Sequence, residues 1–218
     1  MRGAPAGYAK LGTSAPTRAL VRTEAAALAA LHGGLPGVVV PELLATGELD
    51  LTFFSVGSPV PTDVRRWTEG PEATVPALRQ INTLSSHRRR LADSPYAHRL
   101  RAELAAEATS VDVAPLLAAW LDELAQSPEQ IEFGRMHGDW MAGNLGRLPT
   151  GLAAWDWEYS AADAPVGFDL MHWPFHMFAP WAKLVAEGIS WNPKWYPDLV
   201  HVVTTRRAAQ LSPASSSV

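Results

Sequence analysis

The sequence predicts an α+β chain, strand-rich over residues 1–62 and mainly helical over residues 63–218, on three observations. Short apolar or β-branched runs at Tyr8-Ala9-Lys10-Leu11, Val38-Val39-Val40 and Leu51-Thr52-Phe53-Phe54-Ser55-Val56 enclose one stretch of helical periodicity. Beyond the break at Gly57-Ser58-Pro59-Val60-Pro61, apolar residues recur at helical spacing. Near residue 137 the pattern returns to strand–loop–strand. Strands and helices segregated in this way fit an α+β fold.

Tyr8 to Leu11 reads as a short strand, and Gly12-Thr13-Ser14-Ala15-Pro16 as the turn after it. A helix is expected from about Thr17 to Leu31, closed by Gly33-Gly34. Leu20, Glu24, Leu28 and Leu31 share one face of it, so Glu24 points with the leucines. A carboxylate on an apolar face is costly unless a cation meets it. Of the three lysines, Lys10, Lys183 and Lys194, only Lys10 lies in this half, which motivates a Lys10–Glu24 pair. The alternative is a Glu24 exposed on the helix flank. Further on, Leu78, Ile81, Leu84 and Leu91 share a helical face, as do Leu117, Trp120, Leu121 and Leu124. Arg88-Arg89-Arg90 is expected on a helix as a solvated face. Ile131 to Met136 forms a strand leading into His137, and Leu152 to Trp157 forms its partner and delivers Asp156. The tail Ser212-Pro213-Ala214-Ser215-Ser216-Ser217 has the low complexity of a disordered segment.

Composition narrows the partners. A net charge of −4 and a pI near 6.0 provide no basic footprint for nucleic acid. No stretch approaches the ~20 apolar residues of a membrane span, and the N-terminus lacks the apolar run of a signal peptide. With no cysteine there is neither disulfide nor thiolate nucleophile. A cytoplasmic chain is the default expectation.

The chemistry concentrates in His137-Gly138-Asp139-Trp140-Met141-Ala142-Gly143-Asn144, followed by Asp156-Trp157-Glu158. One carboxylate, an amide five residues later and a second carboxylate twelve beyond that form the set that phosphoryl transfer from a nucleotide requires. One carboxylate takes the proton of the attacking hydroxyl, while amide and carboxylate oxygens suit Mg²⁺.

This stretch resembles the catalytic core of the aminoglycoside phosphotransferase / choline kinase family, relatives of the protein kinases. Members carry His-Gly-Asp-x-x-x-x-Asn followed by Asp-Trp-Glu or a similar triplet. The resemblance runs from about Tyr8 to Trp173 and is most specific over residues 137–170. It implies a two-lobed protein-kinase-like fold, with an incomplete β-rich N-lobe over 1–62 and a C-lobe over 63–218. It implies Asp139 as base, Asn144 and Asp156 as ligands of Mg²⁺, and Lys10, braced by Glu24, gripping the phosphates of ATP or GTP. Asp169, within Gly167-Phe168-Asp169-Leu170, braces the loop, and His137 packs beneath it. Adenine would meet backbone around Ser55, Val56 and Gly57. The acceptor would be a hydroxyl of a small molecule.

The resemblance is incomplete. The glycine-containing loop that covers the phosphates needs more than the nine residues before Lys10, and no Walker-type motif replaces it. The chain therefore looks truncated, and a non-catalytic nucleotide-binding or scaffolding protein is the alternative expectation. Glu158 stands between a second metal ligand and a solvent-facing residue. His172 and His176 have zinc-like spacing, but Trp173 stands where a zinc hydrolase of that type has its glutamate. Trp140, Trp155, Trp157 and Trp173 stand between core and acceptor pocket, and Asp163 and Glu187 are scattered acidic candidates for that pocket.

Overall fold

The computed structural model describes residues 6–108 and 114–173, all within the first of two units, Met1–His176. Lys183, Lys194, His176, Glu187 and the serine-rich tail lie outside the described residues. The fold is α+β, with three sheets and several helices.

Strand β1 (Tyr8–Gly12) leads into helix α1 (Ala15–Ala30). Ser14 caps the helix, its hydroxyl accepting from Thr17 N while its own amide donates to Thr17 Oγ1. At the far end Gly33 and Gly34 take positive φ, where a Cβ would be strained. Val21, Ala25, Ala27 and Leu28 are buried, and so is Glu24 among them.

Strands β2 (Val38–Val39), β3 (Leu43–Leu49) and β4 (Thr52–Gly57) follow. β1, β4 and β3 form an antiparallel sheet in that order, with Lys10 opposite Ser55. Directly opposed residues share a face, so Lys10 and Ser55 point the same way.

Strand β5 (Arg65–Arg66) precedes helix α2 (Val75–Thr83), which buries Ala77, Leu78 and Ile81. α2 is shorter than the periodicity predicts: Leu84 is exposed and Leu91 lies in a separate 3₁₀ turn. Between them lies strand β6 (His87–Arg90), so the arginine run is a strand and not a helix. The cause is tertiary. β6 pairs with a later strand, and His87 stacks on Phe133 at 5.7 Å, while arginines on an edge strand deter further pairing. Helices α3 (Pro95–Glu107) and α4 (Ala114–Ala125) pack together. Of the α4 residues expected to share one face, Leu121 is buried, whereas Leu117, Trp120 and Leu124 are exposed.

Strand β7 (Gln130–Met136) runs into His137, a 3₁₀ turn spans Ala142–Asn144, and strands β8 (Leu145–Leu148), β9 (Gly151–Ala154) and β10 (Ala161–Pro165) complete the sheets. The expected pairing of Leu152–Trp157 with Ile131–Met136 does not occur. β9 lies between β8 and β2 in a four-stranded sheet ending at β5, and β7 lies between β10 and β6. A tight turn joins β8 to β9, and so short a closure is entropically cheaper than reaching back to β7. Residues 168–173 are helical. Leu28 of α1 and Leu31 at its C-cap, Leu78 and Ile81 of α2, Leu145 and Leu152 of the hairpin, and Trp140, Trp157 and Trp173 belong to one core. Three of the four tryptophans around the motif therefore pack inside. Among the described residues no helix is long and apolar enough to cross a membrane.

Candidate functional site

β7 delivers the loop that begins at His137. Gly138 turns it with φ +90°, and a Cβ there would lie 2.2 Å from the Tyr159 carbonyl oxygen. The Asp169 carboxylate closes the turn from outside. Its Oδ2 accepts from His137 N at 2.7 Å and its Oδ1 from Gly138 N at 2.8 Å. Burial pushes the Asp169 carboxyl up to about 6, against the opposing pull of those two amides.

His137 is fully buried between Trp140 and Trp157. Its Nε2 donates to the Trp155 carbonyl at 2.9 Å, and its Nδ1 accepts from Asp139 N at 3.2 Å. That pattern requires the neutral ring, in agreement with burial holding it down at about 4. The imidazole is thus a crossbrace from the Asp139 amide to the residue before Asp156. Asn144 supplies the other tie, since its backbone carbonyl accepts from Trp155 N at 3.2 Å.

Asn144 also fixes Asp139. Its Nδ2 donates to the Asp139 carbonyl at 3.0 Å and to Oδ2 at 2.7 Å. The amide is oriented by these two acceptors, which turns its Oδ1 away from Asp139. Asp139 Oδ1 lies 3.6 Å from His172 Nε2.

Asp156 leaves β9 with φ +62°, an uncommon conformation for a residue with a Cβ. Its Oδ1 accepts a 2.7 Å hydrogen bond from Lys10 Nζ. The same ammonium lies 2.8 Å from Glu24 Oε2 and 3.3 Å from Glu158 Oε2. The Glu24 contact is an ion pair, and the well-directed hydrogen bonds go to Asp156 and Glu158. Burial works against the Lys10 charge, but the hydrogen bond to Asp156 and the pair with Glu24 outweigh it and hold the ammonium charged. Burial raises Glu24 above the ordinary carboxylate range, opposed by Lys10.

A cleft of about 330 Å³ opens beside this cluster, lined by Lys10, Glu24, Ser55, Gly57, Trp155 and Asp156 among others. Strand alternation turns Val56 to the opposite face. Asn144 and Asp156 offer donors of the kind that Mg²⁺ prefers. Asn144 Oδ1 and the Asp156 carboxylate are hard oxygens, and among the described residues no group of three or more His, Cys, Asp or Glu could hold a metal on its own.

No family model matches the chain, and no curated protein matches it. Among solved structures it is similar to the apo form of a thermostable mutant of aminoglycoside phosphotransferase APH(4)-Ia, with 13% identity and a TM-score of 0.49. The likeness covers 79% of this chain, which spans only 65% of that one.

Two neighbours of the site lie outside the motif's polar residues. Trp155, which the sequence left between core and acceptor pocket, lines the cleft. His172, whose spacing to His176 suggests zinc, instead faces Asp139. The available signal was its offset of three residues from Asp169, which puts both on one helix face.

Proposed function

We propose that the chain is a small-molecule phosphotransferase of two-lobed, kinase-like design, moving the γ-phosphoryl of ATP or GTP to an acceptor hydroxyl. The observation that carries the reading is the Lys10 ammonium held between Glu24 and Asp156, residues from the two ends of the described chain. Such a cluster orients a cation at the cleft, where nucleotide phosphates would take the place of Asp156 and Glu158 while Glu24 still braces the ammonium. Asp139 would receive the acceptor proton at Oδ1 while Asn144 holds Oδ2. Mg²⁺, held by Asn144 and Asp156, would neutralise phosphate charge when bound. Ser55 and Gly57 border the cleft where the base would lie. Positioning and charge neutralisation supply the rate.

A second reading is a non-catalytic nucleotide-binding protein. It is favoured by the same lysine, which already satisfies Asp156 and Glu158 internally.

Thermal unfolding with and without excess Mg²⁺-ATP tests binding. At a hundredfold over Kd the ligand should add about 2.7 kcal/mol, and Asp156→Ala should lose that shift. Asp139→Ala should keep the shift and lose turnover. A folded chain with no shift sinks both readings, and a shift without turnover in the parent chain favours the second.

A further inference from the structure

Asp139 is approached from two sides by two different elements. The turn at Ala142–Asn144 brings the Asn144 amide to Oδ2, and the helix over residues 168–173 brings the His172 ring to Oδ1. That helix already serves the loop, because Asp169 in its first turn holds the amides of His137 and Gly138. His172 follows three residues later, one turn on and on the same face. Its ring is not left to rotate. It stacks on Phe168, four residues earlier, with centroids 5.9 Å apart and planes 15° from parallel. Phe168 in turn meets the edge of Tyr96 from α3 at 6.4 Å. A nitrogen facing a carboxylate must present its N–H, since a lone pair there would be repelled. The tautomer with its proton on Nε2 is the one that presents an N–H to Oδ1.

We propose that His172 is a positioning residue for the phosphoryl transfer inferred above, on which this assignment rests. Asn144 holds one oxygen by a 2.7 Å hydrogen bond and the His172 ring, 3.6 Å from the other, limits how the carboxylate turns, so that Oδ1 is presented to the acceptor. The acceptor oxygen attacks the γ-phosphorus, the bond from that phosphorus to the β–γ bridging oxygen breaks with its electron pair leaving on the nucleoside diphosphate, and the hydroxyl proton passes to Asp139 Oδ1. His172 gives up no proton.

The test uses the full chain, Mg²⁺-ATP as donor, and water and glycerol as hydroxyl probes. His172→Phe keeps a ring for Phe168 but has no N–H, and His172→Gln restores an N–H at similar reach. Expected is a loss of about tenfold or more in kcat for the Phe variant, with KM for Mg²⁺-ATP within about twofold, and recovery by the Gln variant to within about threefold of the parent. Thermal midpoints of both variants should match the parent. Parent transfer with undiminished kcat in His172→Phe overturns this assignment alone. So does equal loss in both variants alongside lowered midpoints, which marks a role in folding only. A parent that transfers to neither probe overturns the proposed function and this assignment with it.

Discussion

Two backbone positions at the site have little freedom. Gly138 combines φ +90° with a Tyr159 carbonyl that a Cβ would strike at 2.2 Å. Gly138→Ala should therefore destabilise the chain by about 2 kcal/mol or more in urea unfolding, since strain and overlap add. Asp156 holds its left-handed conformation despite its Cβ, at a cost of about 1–2 kcal/mol. From that backbone its side chain reaches Lys10 at 2.7 Å. Asp156→Gly should be more stable than Asp156→Ala by about 1 kcal/mol, although neither should respond to Mg²⁺-ATP. Equal stabilities would show that the positive φ carries no strain.

At the scale of elements, β7, the Asp139 loop and the helix over 168–173 are coupled through two buried ionisable groups with opposite pH dependence. Asp169 lies at about 6 in the folded chain against an ordinary 3.8, so the folded state holds its proton more tightly. Its contribution is present below about pH 4 and is lost as pH rises through 6. His137 lies at about 4 against an ordinary 6.5, so the unfolded state takes up the proton first. Its contribution is complete above 6.5 and is lost as pH falls toward 4. Between pH 4 and 6 the two slopes oppose each other. Asp169→Asn, which also leaves one loop amide poorly paired, should expose the histidine slope. Stability of that variant measured by denaturant should climb from pH 4 to 6.5 by about 3 kcal/mol at most. A flat profile in the variant would contradict the assignment of His137 as the opposing group.

Across the whole molecule, one ammonium ties the first sheet to the β8–β9 hairpin. Lys10 and Asp156 are 146 residues apart in sequence. Glu24 is the buried member of the cluster, whereas the carboxylates of Asp156 and Glu158 are partly exposed. The energetic burden of losing the lysine therefore falls on Glu24. Lys10→Met should cost about 2–3 kcal/mol in urea unfolding, less than a fully buried pair because the lysine is itself partly exposed. Lys10→Met/Glu24→Gln should recover at least half of that loss, as the unpaired buried charge is gone. A double variant no better than the single one would mean that the lysine acts by packing.

Much of this was legible in the chain itself. The α1 helix, its Gly33-Gly34 stop and the burial of Glu24 follow from local periodicity and capping, which act within a few residues, whereas the helix begins at Ala15 with Ser14 as its cap, inside the segment expected to be a turn. The spacing from Asp139 to Asn144 and Asp156 was legible because a tight loop and a short hairpin leave little room for another arrangement. Strand partners were not. Residues 152–154 are apolar on both faces, and such a run carries no signal for choosing β8 and β2 over β7. Arg88-Arg89-Arg90 lies between helical segments, and only pairing with β7 decides that it is extended. His172 shows the same division at a single side chain: sequence places it one turn from Asp169, while tertiary packing sets its ring 3.6 Å from Asp139. The sequence by itself determined the elements with strong local signals and singled out the polar residues that gather at the candidate site. Which elements lie side by side, and so which charge meets which, was decided by the tertiary structure, because burial and pairing energies depend on residues far apart in the chain.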